Sequence, residues 1–160
     1  MIEKTQAMRV LEVKKIPYKV LTYADDMRDA EEIAQFLHVD AHQVFKTLVV
    51  LPPEQGKKAF LVMIPANTQL DLKKLAEIAG AKKLKMATHR EAEQMTGLQV
   101  GGISAVALLG KPFTVYIDKS ATGQPYVYIS AGKRGQQLKV GVSDLIKLTG
   151  ARSAAVTTTN

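Results

Sequence analysis

The sequence predicts a single α/β domain in which about five helices flank a mixed, mostly antiparallel sheet or open barrel. The chain has 160 residues, 46% of them hydrophobic and 23% charged, a balance typical of one globular domain. Helical and strand-like patterns alternate early, whereas the strand-like runs after residue 100 follow one another through short loops. Short loops favour antiparallel pairing and argue against a doubly wound parallel sheet. We therefore expect one domain over residues 1–160, with its last few residues frayed.

Five helices are predicted from capping residues and from apolar side chains at helical spacing. The first ends before Pro17, because a proline disfavours helical geometry in the residue before it. Asp29 opens the second, with an acidic residue three positions later. Asp71 caps the third, Thr88 begins a capping box for the fourth, and glycines close the third, fourth and fifth. The predicted helices span residues 5–15, 29–37, 71–80, 88–97 and 143–150.

Seven strand-like runs lie between and after these helices, each apolar or alternating and bounded by turn residues. Pro52, Pro53 and Gly56 mark a turn between the second and third runs, and Gly110 with Pro112 marks another before the fifth. The runs span residues 18–23, 44–51, 59–65, 105–109, 113–118, 126–130 and 138–142.

Composition narrows the classes of function. The absence of cysteine excludes disulfides, thiolate metal sites and a cysteine nucleophile. No apolar run approaches the ~18 residues of a membrane helix, and the N-terminus lacks the apolar core of a signal peptide, so we expect a cytoplasmic protein. The formal charge of +7 arises in residues 81–160, which hold 11 Lys and Arg but 4 Asp and Glu. A basic half attracts polyanions, although composition does not distinguish RNA from DNA or acidic protein, and solubility explains it equally well.

Familiar catalytic motifs have no support. A phosphate-binding loop would need a hydroxyl after Lys111, where Pro112 stands. No GxGxxG follows a strand, and Ser104 lacks the spacing of a GxSxG nucleophile elbow. His38 and His42 have a ligand-like spacing, but no third ligand accompanies them. We expect neither a metal nor a cofactor.

Lys46 is the one charge in the strand-like run VFKTLVVL. Strand alternation places it with Val44, Leu48 and Val50 on one face, and the opposite face is also apolar. A lysine there must extend to water, pair with an anion or lower its pKa. The residues leave open whether Lys46 is a site residue or a cation that reaches solvent at the strand end.

Two glycine-containing loops offer backbone donors to a ligand. Gly101 and Gly102 allow backbone N–H groups to approach an oxygen atom, and Ser104 adds a hydroxyl. Residues 130–135, SAGKRG, follow a strand and combine flexible backbone with two cations, the composition of an anion site. Either loop alone is more often a tight turn with solvated charge.

Taken together, these segments resemble the YbaK family, also called the prolyl-tRNA-synthetase-associated or aminoacyl-tRNA deacylase domain. The resemblance covers about residues 5 to 150 and rests on the order and spacing of seven motifs. They are Thr22-Tyr23, Val44-Phe45-Lys46-Thr47-Leu48, Leu70-Asp71-Leu72-Lys73-Lys74, Gly80-Ala81-Lys82-Lys83, Thr96-Gly97, Gly101-Gly102-Ile103-Ser104, and Ser130 with Gly132-Lys133-Arg134-Gly135.

The resemblance implies a compact mixed α/β domain that hydrolyses the ester bond of mischarged tRNA in trans. The expected substrate is Cys-tRNA(Pro) or Ala-tRNA(Pro), for which relatives are best known. It implies the acceptor end of tRNA as partner, assisted by prolyl-tRNA synthetase, and neither DNA nor a membrane. Ala105 stands where relatives usually have proline, and Asp25 where a histidine often follows the tyrosine, so the substrate's identity stays open. By likeness, Lys46 is the expected catalytic residue, and the expected substrate-binding residues are Tyr23, Phe45, Gly101, Gly102, Ser104, Ser130 and Gly132.

The expected mechanism needs no protein nucleophile, because an aminoacyl ester is already activated relative to an amide. We expect protonated Lys46 and the N–H groups of Gly101 and Gly102 to stabilise the oxyanion, while water, a ribose hydroxyl or the substrate's side chain attacks. Two other functions stay open: a non-catalytic regulatory module that binds tRNA or a nucleotide, and an enzyme acting on a small acyl ester or nucleotide. The expected contacts to tRNA phosphates are Lys82, Lys83, Lys85, Lys133 and Arg134.

Overall fold

The computed structural model describes residues 3–158. In this range the chain forms five α-helices and ten β-strands, with 3₁₀ turns at Ala41–Gln43 and Lys119–Gly123. None of the helices in residues 3–158 combines the length and the apolar character that crossing a membrane requires. The elements are α1 (Gln6–Val13), β1 (Tyr18–Thr22), α2 (Ala30–Phe36), β2 (Phe45–Leu51), β3 (Ala59–Pro65), β4 (Gln69–Leu70), α3 (Leu72–Ala79), β5 (Lys85–Met86), α4 (His89–Thr96), β6 (Phe113–Asp118), β7 (Tyr126–Ser130), β8 (Gln136–Gly141), α5 (Val142–Thr149), β9 (Arg152–Ala154) and β10 (Thr157–Thr158).

The strands form a mixed arrangement that does not close into a barrel. A five-stranded sheet has the order β5-β2-β3-β6-β9, a three-stranded sheet has the order β1-β8-β7, and β4 pairs with β10. The β3–β6 and β6–β9 pairs are parallel, and the other pairs are antiparallel. The predicted fold class, a mixed sheet flanked by five helices, is therefore confirmed.

Strand β3 lies at the centre of the core, because all seven of its residues are buried. Side-chain alternation sends Leu61 and Met63 to the face that α1 and α5 cover, and Val62 and Ile64 to the face that α3 covers. Both faces of the five-stranded sheet are thus buried, which explains why its central strands are apolar without alternation.

Two helices have the predicted ends. The Asp71 carboxylate accepts a hydrogen bond from the N–H of Lys74, and Gly80 ends α3 in the left-handed conformation. Thr88 and Glu91 form the predicted capping box of α4. These ends are local in sequence, so the residues at the cap suffice to predict them.

Two other helices start at or next to the predicted residue. Asp29 is the residue before α2, as predicted, but its side chain makes no capping hydrogen bond. Helix α5 begins at Val142 after Gly141, one residue before the predicted start. The Asp29 carboxylate is therefore not engaged by the start of α2.

The strand predicted at residues 105–109 is wrong, because these residues form consecutive turns. The Ser104 Oγ accepts a hydrogen bond of 3.2 Å from the N–H of Ala107 inside this segment. Ala105, Val106 and Leu108 are nevertheless buried in the core. Their apolar character reflects burial, and a short apolar run does not distinguish a strand from another buried segment.

The short strands β4, β5, β9 and β10 were not predicted, because segments of two or three residues carry no periodicity. Strand β10 pairs with β4, and buried Asp118 accepts hydrogen bonds from the N–H of Val156 and the hydroxyl of Thr157. The expected fraying falls on Thr159 and Asn160, which lie outside the described residues.

Candidate active site

A cavity of about 390 Å³ opens beside β2, where that strand has a partner on one side only. A bridge joins Val44 to Tyr128 before β2, and Val50 pairs with Met86 near its end. Between these points no strand within residues 3–158 covers the outer edge of β2. The lining residues come from the start of α2, from β2, from the 86–92 and 100–103 segments, and from β7 and β8: Arg28, Asp29, Ala30, Ile33, Val44, Phe45, Lys46, Thr47, Leu48, Val49, Met86, Ala87, His89, Ala92, Val100, Gly101, Ile103, Ser130 and Gln137.

The uncovered edge of β2 presents backbone hydrogen-bonding groups to the cavity. The Val44 carbonyl accepts a hydrogen bond of 2.7 Å from the N–H of Ala66, on the side of β3. Because the backbone groups of successive residues point to opposite edges of an antiparallel strand, Phe45 and Thr47 direct theirs away from β3. Pro65 stands opposite Phe45, where the pairing requires no N–H.

Lys46 is half-buried on this wall of the cavity. Its ammonium donates a hydrogen bond of 3.3 Å to the backbone carbonyl of Ala66. Within the described part of the chain no carboxylate pairs with it. A backbone carbonyl therefore holds the cation, and two of the three ammonium N–H groups stay available to a ligand.

Lys46, Ser130 and Gln137 come to the cavity from three strands, β2, β7 and β8. At the Val44–Tyr128 bridge β2 and β7 run parallel, and Lys46 and Ser130 each follow two residues later. Ser130 is in turn paired with Gln137 on β8. All three residues line the cavity.

The two glycines of the 100–103 loop differ in their environment. Gly101 lines the cavity with φ at +90°, a conformation that favours glycine. Its N–H has no acceptor among residues 3–158, whereas the N–H of Gly102 donates a hydrogen bond of 2.8 Å to the carbonyl of Gln99. Of the two expected backbone donors, only the one at Gly101 is unengaged in this structure.

The 100–103 loop is fixed against the segment that follows β7. The Arg134 Nε donates a hydrogen bond of 2.7 Å to the carbonyl of Val100. A Cβ atom added to Gly102 would lie 3.0 Å from the backbone nitrogen of Arg134 and 3.1 Å from the carbonyl carbon of Lys133. The close approach requires glycine, and it sets the position of Gly101 in the cavity wall.

The other predicted site residues do not line the cavity. Buried Ser104 accepts the hydrogen bond from Ala107, and the N–H of Gly132 donates to the Ser130 hydroxyl at 3.1 Å. Tyr23 is 8% exposed, and its hydroxyl has no partner within residues 3–158. Of the predicted catalytic and substrate-binding residues, the cavity brings together Phe45, Lys46, Gly101 and Ser130, and its lining does not include Tyr23, Gly102, Ser104 or Gly132.

Five polar lining residues were missed from the sequence. Gln137 was missed because the strand predicted from residue 138 begins earlier, and Arg28, Asp29 and His89 because no local pattern relates them to β2. Thr47 lies on β2 itself, but strand alternation placed it on the face opposite Lys46. Only the pairing of β7 with β8 brings Gln137 to the cavity. The missed residues are Arg28, Asp29, Thr47, His89 and Gln137.

None of the predicted tRNA-binding residues lines the cavity. Lys82, Lys83 and Lys85 are exposed, and Lys85 precedes Met86 of the cavity wall. Lys133 is also exposed, whereas Arg134 is half-buried and already bonded to the 100–103 loop. No three His, Asp or Glu side chains among the described residues lie close enough to hold a metal ion.

The chain is similar to a family model and to several known proteins. The family model described as the aminoacyl-tRNA editing domain matches residues 24–148. EbsC of Enterococcus faecalis, named as a candidate Cys-tRNA(Pro)/Cys-tRNA(Cys) deacylase, is 37% identical over 158 residues, covering 98% of this chain and 94% of that protein. A proline–tRNA ligase of Pediococcus pentosaceus is 31% identical over 117 residues, covering 72% of this chain but 20% of the ligase. A crystal structure of a candidate trans-editing enzyme for prolyl-tRNA synthetase superposes with a TM-score of 0.81 at 28% sequence identity. The match covers 99% of this chain and 100% of that one.

Proposed function

This chain belongs to the aminoacyl-tRNA editing domain family, and we propose that it is a trans-acting deacylase that cleaves the ester bond of mischarged tRNA. The family match and the similarity to EbsC over nearly the full length of both chains support an editing activity. The names of EbsC and of the structural relative favour tRNA(Pro) as the carrier, and the name of EbsC gives cysteine as the amino acid. Alanine stays the alternative that the family resemblance implies.

The observation that carries the proposal is the position of Lys46. Lys46 and Gly101 both line the cavity, and the N–H of Gly101 has no acceptor among the described residues. A cation and a backbone donor that converge on a sheltered space can stabilise a developing oxyanion. The cavity lining holds two hydroxyls, those of Ser130 and Thr47, and neither donates a hydrogen bond to a histidine or carboxylate among the described residues that could act as its base. This favours a reaction without a protein nucleophile.

In the proposed reaction the ester carbonyl lies between Lys46 and Gly101. An attacking oxygen or sulfur atom adds to the carbonyl carbon, and the negative charge on the carbonyl oxygen is stabilised by the ammonium and the N–H. The bond to the terminal ribose oxygen then breaks, and that oxygen takes up a proton. Attack by water releases the free amino acid, and attack by the substrate's own side chain releases a cyclic product. Attack by the neighbouring ribose hydroxyl moves the acyl group to that oxygen, so water or the side chain must then attack before the tRNA is released.

The acceptor end of tRNA reaches the cavity between two exposed basic segments. Lys82, Lys83 and Lys85 lie on one side and Lys133 on the other, where they contact phosphates and fix the orientation of the strand. Arg134 contributes indirectly, by holding the cavity wall at Val100. Prolyl-tRNA synthetase is the proposed assistant, because it produces the mischarged tRNA.

A panel of charged tRNAs tests the proposal. The purified chain is incubated with tRNA(Pro) charged with cysteine, alanine, serine or proline, and the fraction of aminoacyl-tRNA is followed against a sample without protein. We expect at least one mischarged tRNA to lose its amino acid faster than Pro-tRNA(Pro). Decay equal to the uncatalysed rate for every tRNA would indicate a binding module, and hydrolysis of a small free ester without any tRNA activity would indicate a different esterase.

A further inference from the structure

Two arginine side chains meet beside Gly101 in the wall of the cavity. A Cβ atom added to Gly101 would lie 3.5 Å from the Cβ of Arg28 and 3.6 Å from the Nε of Arg134. Arg28 is exposed and lines the cavity, whereas Arg134 is half-buried. Arg28 precedes α2 and Arg134 follows β7, so the fold brings together two cations that are far apart in the sequence.

Neither guanidinium group is neutralised by the protein. The ion pair found within residues 3–158 joins Lys4 to Glu12, and no carboxylate in that range pairs with Arg28 or Arg134. Arg134 donates through Nε to the carbonyl of Val100, and neither its terminal nitrogens nor those of Arg28 have an acceptor among these residues. Because neighbouring like charges repel each other, two such groups are stabilised by an anion that binds between them.

The charges that line the cavity indicate which part of the substrate this anion is. Besides Arg28, the lining contains the cation of Lys46 and the carboxylate of Asp29. An aminoacyl-tRNA carries an ammonium group, which a carboxylate attracts, and phosphodiesters, which are its anions. Lys46 is assigned to the ester in the proposed reaction, so Arg28 is left for a phosphodiester. A guanidinium group suits this role because its planar fork binds two phosphate oxygens at once.

The position of Arg28 indicates which phosphodiester it meets. In the proposed reaction the ester carbonyl lies between Lys46 and Gly101, and Arg28 is next to Gly101. The anion nearest to the ester is the linkage between the last two nucleotides, because the terminal ribose alone separates the two groups. The exposed lysines at 82, 83, 85 and 133 do not line the cavity, so they are placed for phosphates farther from the ester.

We infer that Arg28 binds the phosphodiester between the last two nucleotides of tRNA, beside the fixed positive charge of Arg134, and thereby positions the ester at Lys46. The inference rests on the proposed deacylase function. Arg28 holds the substrate and takes no part in bond breaking.

The test removes the charge from the protein and from the substrate in turn. A responsive mischarged tRNA(Pro) is prepared with an uncharged methylphosphonate at the last linkage or at the preceding one, and is acylated without a synthetase. We expect the wild-type kcat/KM to fall about tenfold when the last linkage is modified. Arg28→Gln should lose about tenfold on unmodified tRNA, and little more when the last linkage is modified. Modification of the preceding linkage should lower kcat/KM by the same factor in Arg28→Gln as in wild type.

Arg90→Gln is the matched control, because Arg90 is an exposed arginine of α4 that does not line the cavity. We expect it to match wild type on all three substrates, and both variants to keep the wild-type Tm.

Two results would overturn the inference: equal kcat/KM of Arg28→Gln and wild type on unmodified tRNA, or a full further tenfold loss in Arg28→Gln when the last linkage is modified. Inhibition by inorganic phosphate that disappears in Arg28→Gln, without any effect of the methylphosphonate, would also overturn it, because the arginines would then bind free phosphate. Hydrolysis of no mischarged tRNA by wild type would contradict the proposed function itself, which separates the two failures.

Discussion

At the level of single residues, the shape of the cavity depends on how closely two backbones approach each other. Gly102 is buried against the backbone of Lys133 and Arg134, and this contact holds the 100–103 loop beside the site. Its φ is not positive, so its requirement for glycine is one of space rather than of backbone conformation.

We therefore predict that Gly102→Ala displaces the loop and lowers both stability and activity. The added methyl group would meet backbone atoms at 3.0 and 3.1 Å, which cannot move independently of the fold. Overpacking of this kind costs about 1–3 kcal/mol. Thermal unfolding and deacylation kinetics measure the two effects.

Gly123→Ala is the matched control, because a Cβ there meets no atom within 4 Å and its φ is likewise not positive. We expect it to change the free energy of unfolding by no more than about 0.5 kcal/mol. Equal stability and activity of the two variants would show that the loop contact is not needed.

At the level of elements, α4 connects a predictable local motif to the cavity. Its capping box of Thr88 and Glu91 fixes the start of the helix, and His89 and Ala92 in its first turns line the cavity. The pKa of the exposed Glu91 carboxyl is lowered, chiefly by its hydrogen bond with the backbone N–H of Thr88 and to a smaller extent by its hydrogen bond with the Thr88 side chain.

This lowered pKa predicts a pH dependence for the cap. A carboxyl whose pKa is lower in the folded state stabilises the protein above its unfolded pKa, and this contribution is lost as pH falls through the folded pKa. Wild type should therefore have a higher Tm than Glu91→Gln near neutral pH, and the difference should shrink at acid pH. Thr88→Ala, which removes the cap itself, should lose about 1 kcal/mol across the range. A Tm difference for Glu91→Gln that grows on acidification would contradict this account.

The helix ends and the turns at residues 105–109 differ in whether neighbouring residues suffice to predict them. The caps of α3 and α4 are predictable because the donor and acceptor lie within three residues of each other. The turns at residues 105–109 are not predictable in this way. A segment buried by distant elements has the same apolar pattern as a paired strand, so the local sequence does not distinguish the two. Lys46 stands out in the sequence as a single charge in an apolar run, whereas Gln137 becomes a site residue only through pairing across strands.

At the level of the whole molecule, the proposed path of tRNA to the cavity follows the exposed basic residues of the second half. Lys82, Lys83, Lys85 and Lys133 are exposed, so their charges are available to phosphates. Phosphate contacts make affinity fall with salt, because each contact releases condensed counterions.

We predict that Lys85→Ala weakens tRNA binding and reduces the slope of log K against log salt by roughly one. Lys147→Ala is the control, since Lys147 is also exposed but lies on α5, which does not line the cavity. Filter binding or fluorescence anisotropy over a range of salt concentrations measures both slopes. Equal slopes for the two variants would place the tRNA on another surface.

The cavity is lined by residues of both larger sheets, and in the proposed reaction the Lys46 ammonium stabilises the reacting ester. The most direct measurement is single-turnover deacylation of the most responsive mischarged tRNA by Lys46→Met, with Lys58→Met, an exposed lysine of the same hairpin, as control. We predict that Lys46→Met lowers the rate by about 100- to 1000-fold while its Tm and tRNA affinity stay close to wild type, and that Lys58→Met is unchanged. An undiminished rate in folded Lys46→Met would contradict the account.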